Sequence, residues 1–306
     1  MEEYNLQEIR IEDYNSIKEY YQMRRPETAD SNILDLYIWL NCYPTWYFTN
    51  DKGLMWVAKS EDGQYYSSIP CCKDEDLKEC FLETQKYFNE VLQKKLVMYV
   101  VDRAAVDLLQ LPEDEYVVVP DRTYADYVYD AEKLRTFSGK KYHKKKNHLN
   151  AFKREYEGRY EFKFLSKKDE PEILDFLEDW KKHKSDTEEH EFIDSEAVGI
   201  KYILEHEEVF DYKIGAVYVD NKLEAFTIGN YESREDIVYI PVEKANPEIR
   251  GLYPYICSQF LIEAFPEAGK ENREDDMGLE GLRKSKLSYN PIYMVEKYTI
   301  IQKKRA

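Results

Sequence analysis

The chain has 306 residues, about twice the size of an average domain, so its length predicts two packed units. Apolar residues make up 43% of it and tyrosine alone fills 28 positions, which excludes a globally disordered chain. The 61 acidic and 44 basic residues give a formal charge of −17, and this charge disfavours a protein that binds nucleic acid over its whole surface.

The sequence predicts a cytoplasmic protein with no integral membrane segment and no metal site. No apolar run approaches the roughly 20 residues that span a bilayer. The start, MEEYNLQEIR, lacks the basic and apolar regions of a signal peptide. The five cysteines have no C-x-x-C spacing, and His183, His190 and His206 have no histidine partner four residues away. Glycine-rich fingerprints for ATP or dinucleotides are also missing from the sequence.

The first half predicts an antiparallel meander, then a helix and a strand. Apolar residues recur at helical spacing from Leu77 to Leu92, and a strand-like segment covers Leu96 to Val101. The three meander segments, which alternate aromatic and polar residues between turn signals, are 46–49, 53–59 and 64–70.

A linker is expected near residues 131–140. A short helix-like segment, Ala131 to Phe137, meets Ser138 and Gly139 there. The sequence therefore predicts an N-terminal domain at 1–135 and a C-terminal domain at 136–306.

A strongly basic segment, Gly139 to Tyr156, follows inside this acidic protein. Its sequence, GKKYHKKKNHLNAFKREY, carries seven Lys or Arg and one Glu. A helix with clustered cations would bind phosphate or RNA through counterion release, with Asn147 orienting the ligand. The alternative is a solvated helix that anchors the core through Tyr142, Leu149 and Phe152. The candidate basic patch consists of Lys140, Lys141, Lys144, Lys145, Lys146 and Asn147.

The second half repeats the order of the first. A helical run from Tyr255 to Phe265 and a strand-rich segment from Tyr293 to Gln302 follow a second meander. The halves share negligible sequence identity, so an internal duplication is inferred from the pattern alone. The three meander segments are 212–219, 223–231 and 236–243.

A strand, a loop and a helix start meet in the sequence VEKANPEIRGLY. A helix that begins after Gly251 would direct free N–H groups and its positive dipole end toward an anion, and Arg250 would add charge. Gly251 would let the ligand approach the backbone. Glu243 would accept a proton from an attacking amine. The alternatives are an ordinary helix start and a surface Glu243 paired with Lys244. The candidate donor-phosphate residues are Arg250, Gly251, Leu252 and Tyr253.

A third segment, NREDDMGLEGLRKSKLSYNP, places polar groups between apolar anchors. Arg283 and Lys286 would share a helix face and clamp a carboxylate or phosphate, while Asp276 would hold an ammonium group. A salt-bridged helix entrance is the alternative. The candidate substrate-binding residues are Asn272, Asp276, Arg283, Lys286 and Tyr289.

Together the three motifs resemble the DUF2156 family, which contains the C-terminal catalytic domain of phosphatidylglycerol lysyltransferases. The resemblance covers most of residues 15–300. It implies an α+β fold with two tandem GNAT-like (acyl-CoA N-acyltransferase) domains, each a mixed, mostly antiparallel sheet flanked by helices. In GNAT-type domains the donor pyrophosphate lies at the helix start after the fourth strand, where this chain keeps a single Arg-Gly of a longer glycine-rich signature.

The resemblance also implies an acyl or aminoacyl transferase in which an amine or hydroxyl acceptor attacks the donor directly. Two donors are open: acyl-CoA, which the net charge slightly favours, and aminoacyl-tRNA, which lysyltransferase relatives use and which suits the basic patch. A small-molecule acceptor is expected, because an anionic leaflet would repel so acidic a protein. A non-catalytic module that binds a ligand or RNA is the alternative from another class.

The N-terminal domain is expected to lack a donor site of its own. Its sequence IPCCKDED, at 69–76, places acids where the second half has Arg-Gly. Acids suit a helix dipole but repel phosphate, so this domain is expected to shape the acceptor cleft instead.

Overall fold

The structure is a computed structural model that describes residues 4–24, 28–60, 62–183 and 187–305, with the backbone alone at 187–192. Its contacts divide the chain into two compact units. The first unit consists of Met1–Ala125 and Val295–Ala306, and the second of Asp126–Met294. This division differs from the predicted domains, which were separated after residue 135 and gave the whole C-terminus to the second domain.

Strands and helices are numbered in chain order. The strands are β1 Gln7–Glu8, β2 Thr45–Thr49, β3 Gly53–Lys59, β4 Tyr65–Tyr66, β5 Cys71–Cys72, β6 Val97–Asp102, β7 Tyr116–Pro120, β8 Asp126–Asp130, β9 Tyr160–Leu165, β10 Lys213–Val219, β11 Lys222–Glu232, β12 Ile237–Ala245, β13 Lys270–Asn272, β14 Tyr293–Val295 and β15 Lys297–Gln302. The helices are α1 Tyr14–Tyr21, α2 Ile33–Trp39, α3 Leu77–Lys86, α4 Arg103–Leu109, α5 Ala131–Thr136, α6 His143–Glu155, α7 Glu170–Lys181, α8 Thr187–Glu205, α9 Leu252–Ala264 and α10 Glu280–Leu287.

The first unit contains two sheets. Strands β1 to β4 pair in that order and β5 also pairs with β3, while β15 lies between β6 and β7 in the other sheet. The antiparallel pairs β2–β3 and β3–β4 form the predicted first meander. Its third strand is shorter than the predicted 64–70, because Ser67 instead forms a parallel bridge with Met98 on β6.

The predicted helix of the first unit is α3, which continues as a π-helical turn at Tyr87–Val91. Its apolar spacing buries Phe81 and Phe88 in one cluster with Met98 and Val101 of β6. The sequence assigned 293–302 to the second half, yet β15 hydrogen-bonds to β6 and β7 of the first unit.

The second unit contains one sheet with the strand order β14-β8-β13-β12-β11-β10-β9. Strands β10, β11 and β12 form the predicted second meander, with antiparallel pairing. Strand β13, of sequence KEN, pairs parallel to β12 and was not predicted, because its three residues show no apolar alternation. The mixed, mostly antiparallel sheets and their helices confirm the predicted α+β class.

Helices cover both faces of the second unit's sheet. On one face α9 packs with α5 and α6, and Gly215 leaves the space that the Phe260 ring fills. Ala225 packs toward α9, so Phe226 points to the opposite face, where it contacts Phe176 of α7 with ring centroids 5.7 Å apart. This arrangement fixes the start of α9 beside α6.

Gly251, immediately before α9, lies against the backbone of α6. Its φ is +86°, and a Cβ atom built on it would lie 2.1 Å from the carbonyl oxygen of His148. The missing side chain therefore makes room for the backbone of α6. The sequence instead predicted that this space would admit a ligand.

We expect Gly251→Ala to lower the free energy of unfolding by roughly 2–4 kcal/mol, because it combines a left-handed backbone with a clash against a helix backbone. Urea unfolding followed by circular dichroism measures the change. Gly281→Ala is the matched control: it lies on α10 with open space around it, so alanine should be neutral or slightly stabilising. Equal stability of the two variants would contradict the role assigned to Gly251.

Candidate active site

The candidate active site lies where β12 and β13 separate. The parallel pairing ends at Tyr239 and Asn272. Strand β12 continues to Ala245, whereas the chain leaves β13 at Arg273. Ligands of α/β sheets bind beyond the carboxyl ends of parallel strands, so this opening is a natural place for a binding site.

Arg273 bridges the opening. Its guanidinium donates to the Glu243 carboxylate on β12 and pairs with the Glu271 carboxylate on β13 at 3.4 Å. Only 12% of the Arg273 side chain, 7% of Glu243 and 2% of Glu271 is exposed. The guanidinium carbon also lies 4.9 Å from the centroid of the Tyr289 ring. Two carboxylates and an aromatic ring therefore hold one buried cation at the carboxyl end of the strands.

Lys145 brings the basic segment into the same place. It is half-buried, and its Nζ lies 3.4 Å from the centroid of the Tyr289 ring. Burial and the positive charge of Arg273 lower the pKa of Lys145 to about 8. Such a lysine is partly neutral near physiological pH and can accept a proton. Cys257 also contacts the guanidinium, with its sulfur 3.7 Å from Arg273 Nη1. We call these six residues the Arg273 cluster: Lys145, Glu243, Cys257, Glu271, Arg273 and Tyr289.

Burial also shifts two other members of the cluster. It raises the pKa of Glu271 to about 8, against the opposing charge of Arg273. Glu271 Oε2 is buried and has no hydrogen-bond partner among the described residues, which fits a protonated carboxyl group. Burial likewise raises the pKa of the Cys257 thiol well above its usual value. Cys257 is therefore not a thiolate nucleophile.

Glu243 is the predicted site residue that the structure places at the centre. Its alternative assignment, a surface pair with Lys244, is wrong. Neighbouring residues of a strand point to opposite faces, and Lys244 pairs at 3.0 Å with the buried Glu196 and lies over the Trp180 ring. Glu243 instead faces Arg273, so its partner comes from the end of the adjacent strand.

The third predicted segment holds the loop that carries Arg273. Asp276 is fully buried and accepts two hydrogen bonds of 2.9 Å from Arg283. Lys286 donates to the backbone carbonyls of Arg273 and Asp275. The buried Asn272 donates to Asp126 at 3.2 Å. These contacts match the alternative of a salt-bridged helix entrance, and a role for these side chains in substrate binding stays a prediction.

The basic patch and the predicted donor loop meet on one surface. Lys140, Lys141, Lys144, Lys146 and Asn147 are exposed on and before α6. The exposed Arg250 is close to them, since burial together with the charges of Arg250 and the α6 lysines lowers the pKa of His148. The basic surface, as it is called below, consists of Lys140, Lys141, Lys144, Lys146, Asn147 and Arg250.

The helix start at Leu252 offers fewer anion-binding amides than the sequence suggested. The Leu252 side chain is fully buried, and its N–H donates to the Ile249 carbonyl at 3.2 Å. Pro254 has no N–H. Tyr253 is half-buried, and burial raises its pKa. Donor binding by Arg250, Gly251, Leu252 and Tyr253 stays a prediction.

The sequence candidates did not include Arg273, Glu271 and Cys257. Glu271 and Arg273 flank the predicted Asn272 in a run that resumes charge directly after an apolar helix. That return of charge beside Asn272, which was already a predicted site residue, is the signal that would have identified them. Cys257 gave no signal, because one apolar thiol in an apolar helix resembles ordinary core packing.

The described part of the chain contains no group of three or more His, Cys, Asp or Glu side chains placed to hold a metal ion. His190 lies outside the residues whose side chains are described. Among the described helices, none combines the length and apolarity that crossing a membrane requires.

Replacing Glu271 by Gln tests the raised pKa. The unfolded chain loses the Glu271 proton at an ordinary glutamate pKa, whereas the folded protein loses it only near pH 8. Between these two pH values the folded state binds more protons than the unfolded state. The stability of the wild type therefore falls as pH rises through this window. Relative to wild type, we expect Glu271→Gln to gain at least about 1 kcal/mol of unfolding free energy between pH 5 and pH 7.5.

Urea unfolding at several pH values measures this effect. The exposed Glu267→Gln is the matched control for the loss of one carboxylate. A constant difference between Glu271→Gln and wild type across the window would show that Glu271 ionises normally in the folded protein.

Comparison with known proteins agrees with the motifs. The family model described as phosphatidylglycerol lysyltransferase, C-terminal, matches residues 22–301. An uncharacterized protein of Mycoplasmoides gallisepticum is 26% identical over 220 residues, which cover 72% of this chain and 70% of that protein.

Three solved structures are similar over nearly the whole chain. A conserved protein of unknown function from Bacteroides thetaiotaomicron has a TM-score of 0.86 and 29% identity, over 98% of this chain and 100% of the other. L-PGS from Bacillus licheniformis has a TM-score of 0.70 and 14% identity, over 98% and 94%. A tandem GNAT protein from the clavulanic acid biosynthesis pathway has a TM-score of 0.55 and 8% identity, over 99% and 100%.

At this identity the last two structures show the fold alone, and that fold is GNAT-like. Because the family model spans most of the chain, this protein belongs to the phosphatidylglycerol lysyltransferase C-terminal family, which the three motifs had indicated as DUF2156.

Proposed function

We propose that this protein is an acyl or aminoacyl transferase that reacts at the Arg273 cluster. The observation that carries the proposal is geometric: Lys145 Nζ lies 3.4 Å, and the guanidinium carbon of the buried Arg273 4.9 Å, from the centroid of the Tyr289 ring, at the carboxyl ends of two separating parallel strands. Burial and the charge of Arg273 lower the pKa of Lys145, which fits a proton acceptor. Membership in a family named for lysyl transfer supports the reaction class.

In the proposed reaction, an acceptor amine or hydroxyl attacks the carbonyl carbon of the donor ester or thioester directly. Neutral Lys145 accepts the proton that the acceptor loses. Protonated Lys145 then gives this proton to the carrier oxygen or sulfur as the bond between the acyl group and the carrier breaks. Arg273 stabilises the negative charge that develops on the carbonyl oxygen. No covalent enzyme intermediate is needed, which agrees with the protonated state of the Cys257 thiol.

Glu243, the base predicted from the sequence, has a different role in this proposal. Its carboxylate already accepts a hydrogen bond from Arg273, so we assign it the positioning of that guanidinium. A proton-accepting Glu243 is the competing assignment. The two assignments differ in the pH dependence that the Lys145 variant tests.

For the donor, we propose an aminoacyl-tRNA, with acyl-CoA as the alternative. The sequence slightly favoured acyl-CoA on the basis of net charge. The α6 backbone fills the space beside Gly251, and two of the first three residues of α9 offer no free amide, because the N–H of Leu252 is bonded to Ile249 and Pro254 has none. Both features disfavour a compact pyrophosphate cradle. The exposed lysines of the basic surface would follow a longer phosphate backbone. The proposed acceptor is a small molecule with an amine or hydroxyl group.

We also propose that the two units are tandem GNAT-like domains. In each unit an antiparallel meander leads through a helix, α3 or α9, into a strand parallel to the end of the meander. In the first unit the parallel pairing is the bridge between Ser67 and Met98, and in the second it joins β12 to β13. The same order in both units supports a duplication, as the sequence pattern suggested.

Lys145→Met should lower kcat/KM for transfer at least about 100-fold, because it removes the proton acceptor. The wild-type rate should rise with pH through about 8, as Lys145 becomes neutral, and the variant should lose this rise. The measurement is the rate at which lysyl-tRNA loses its lysyl group to a mixture of amine and hydroxyl acceptors, after subtraction of the rate without acceptors.

The exposed Lys168→Met removes the same charge away from the cluster and should keep the wild-type rate and pH profile. Glu243→Gln separates the two candidate bases. A variant that keeps the rise with pH supports positioning, whereas a flat profile in Glu243→Gln together with a normal one in Lys145→Met would reverse the assignment.

Binding of the two donors should differ in salt dependence. We expect tRNA to bind with an affinity that falls at least roughly tenfold between about 50 and about 200 mM salt, through several phosphate contacts on the basic surface. Fluorescence anisotropy with labelled tRNA, and calorimetry with coenzyme A, measure the two affinities. Tight, salt-insensitive binding of coenzyme A without tRNA binding would favour the acyl-CoA alternative.

A further inference from the structure

A cavity lies wholly within the first unit, at the point where its own parallel strands separate. Beyond the bridge between Ser67 and Met98, the chain turns back to pair Cys71 with Leu54 of β3. Strand β6 instead continues toward Asp102, which pairs with β15. This is the same point in the order of elements as the Arg273 cluster occupies in the second unit.

The cavity is partly open, and its empty space together with the adjoining solvent amounts to about 450 Å³. Part of the lining is apolar and consists of Trp56, Ile69, Pro70 and Val100, together with the thiol of Cys71. The rest of the lining carries polar side chains. Those polar lining residues are Tyr21, Arg24, Thr28, Asp30, Ser31 and Ser68.

Three groups around this cavity that can donate a hydrogen bond have unused donor capacity. Arg24 is 7% exposed and donates through Nε to Asp74 and through Nη2 to Asp102, while its Nη1 makes no hydrogen bond within the described ranges. The Tyr21 hydroxyl and the Ser68 hydroxyl likewise have no hydrogen-bond partner among the residues that the structure describes. A buried guanidinium with free N–H groups requires an acceptor.

Around the cavity the carboxylates of Asp30, Asp74 and Asp102 outnumber the two cations, Arg24 and Lys297. Asp74 and Asp102 neutralise Arg24, and the buried Lys297 pairs with Asp30. A ligand therefore need not supply a full counter-charge. It needs an oxygen that accepts a hydrogen bond from Arg24 and a short apolar part that packs against the apolar lining around Trp56.

We propose that the first unit binds a small carbonyl compound in this cavity, with its carbonyl oxygen facing Arg24, Tyr21 and Ser68. A carboxylic acid and its neutral amide share this chemistry. The proposal rests on the cavity and its free donors, and it does not depend on the transferase reaction proposed for the second unit.

Isothermal titration of the full chain with butyramide, butyrate and butylamine tests the proposal, because the three compounds carry the same apolar tail. Butyramide or butyrate should bind with a Kd of roughly 1–10 mM, and butylamine at least roughly tenfold more weakly. Stronger binding of butyramide identifies the amide as the preferred form, and stronger binding of butyrate identifies the acid. Equal binding of butylamine, or no binding of either carbonyl compound, overturns the proposal.

Two variants locate the binding. Tyr21→Phe and Ser68→Ala each remove only a hydroxyl group and should weaken binding roughly three- to tenfold. Tyr20→Phe removes a hydroxyl from the neighbouring residue, which does not line the cavity, and should bind like wild type. Thermal unfolding confirms that each variant is folded, and either cavity variant alone suffices. Unchanged binding in a folded Tyr21→Phe or Ser68→Ala places the ligand elsewhere and overturns the assignment.

Discussion

The second unit depends on one buried cation, Arg273, placed where two parallel strands stop pairing. A buried guanidinium is stable only when its charge is matched and its N–H groups are satisfied. Glu243 supplies the opposite charge, and Glu271, on the other separating strand, lies 3.4 Å from Nε of Arg273. The charge of Arg273 lowers the pKa of Lys145 and opposes the burial that raises the pKa of Glu271. Arg273 therefore both bridges the two separating strands and shifts the pKa values of the groups around it.

The position of α6 connects this buried chemistry to the surface. Because α6 touches Gly251 through its backbone, it lies too close to α9 for any residue with a side chain at that position. Helical periodicity then turns Lys145 toward Tyr289 and leaves its lysine neighbours exposed. One basic segment thus supplies both a lysine of lowered pKa and a surface that can attract a polyanion.

Both units place polar side chains at the point where a parallel pair of strands separates, but the chemistry differs. In the second unit this point holds charged groups with shifted pKa values, which suits proton transfer. In the first unit it holds a cavity with a partly apolar lining and an arginine whose charge is already matched by Asp74 and Asp102. A duplicated fold can in this way keep the position of a site while its side chains change from reaction to binding.

The sequence by itself determined the two meanders, helices α3, α6 and α9, and the family, because these features rest on local periodicity, turn residues and contiguous motifs. It also identified Glu243, Lys145 and Tyr289, although in three separate segments. Only the tertiary structure brought these residues together, because their partner Arg273 follows β13, a strand of three residues with no local pattern. The pairing of β15 with strands about 180–200 residues earlier in the chain was likewise decided by the tertiary structure. Contacts of this kind depend on which backbone groups and buried charges remain unpaired after the local elements form, and no local pattern records that information.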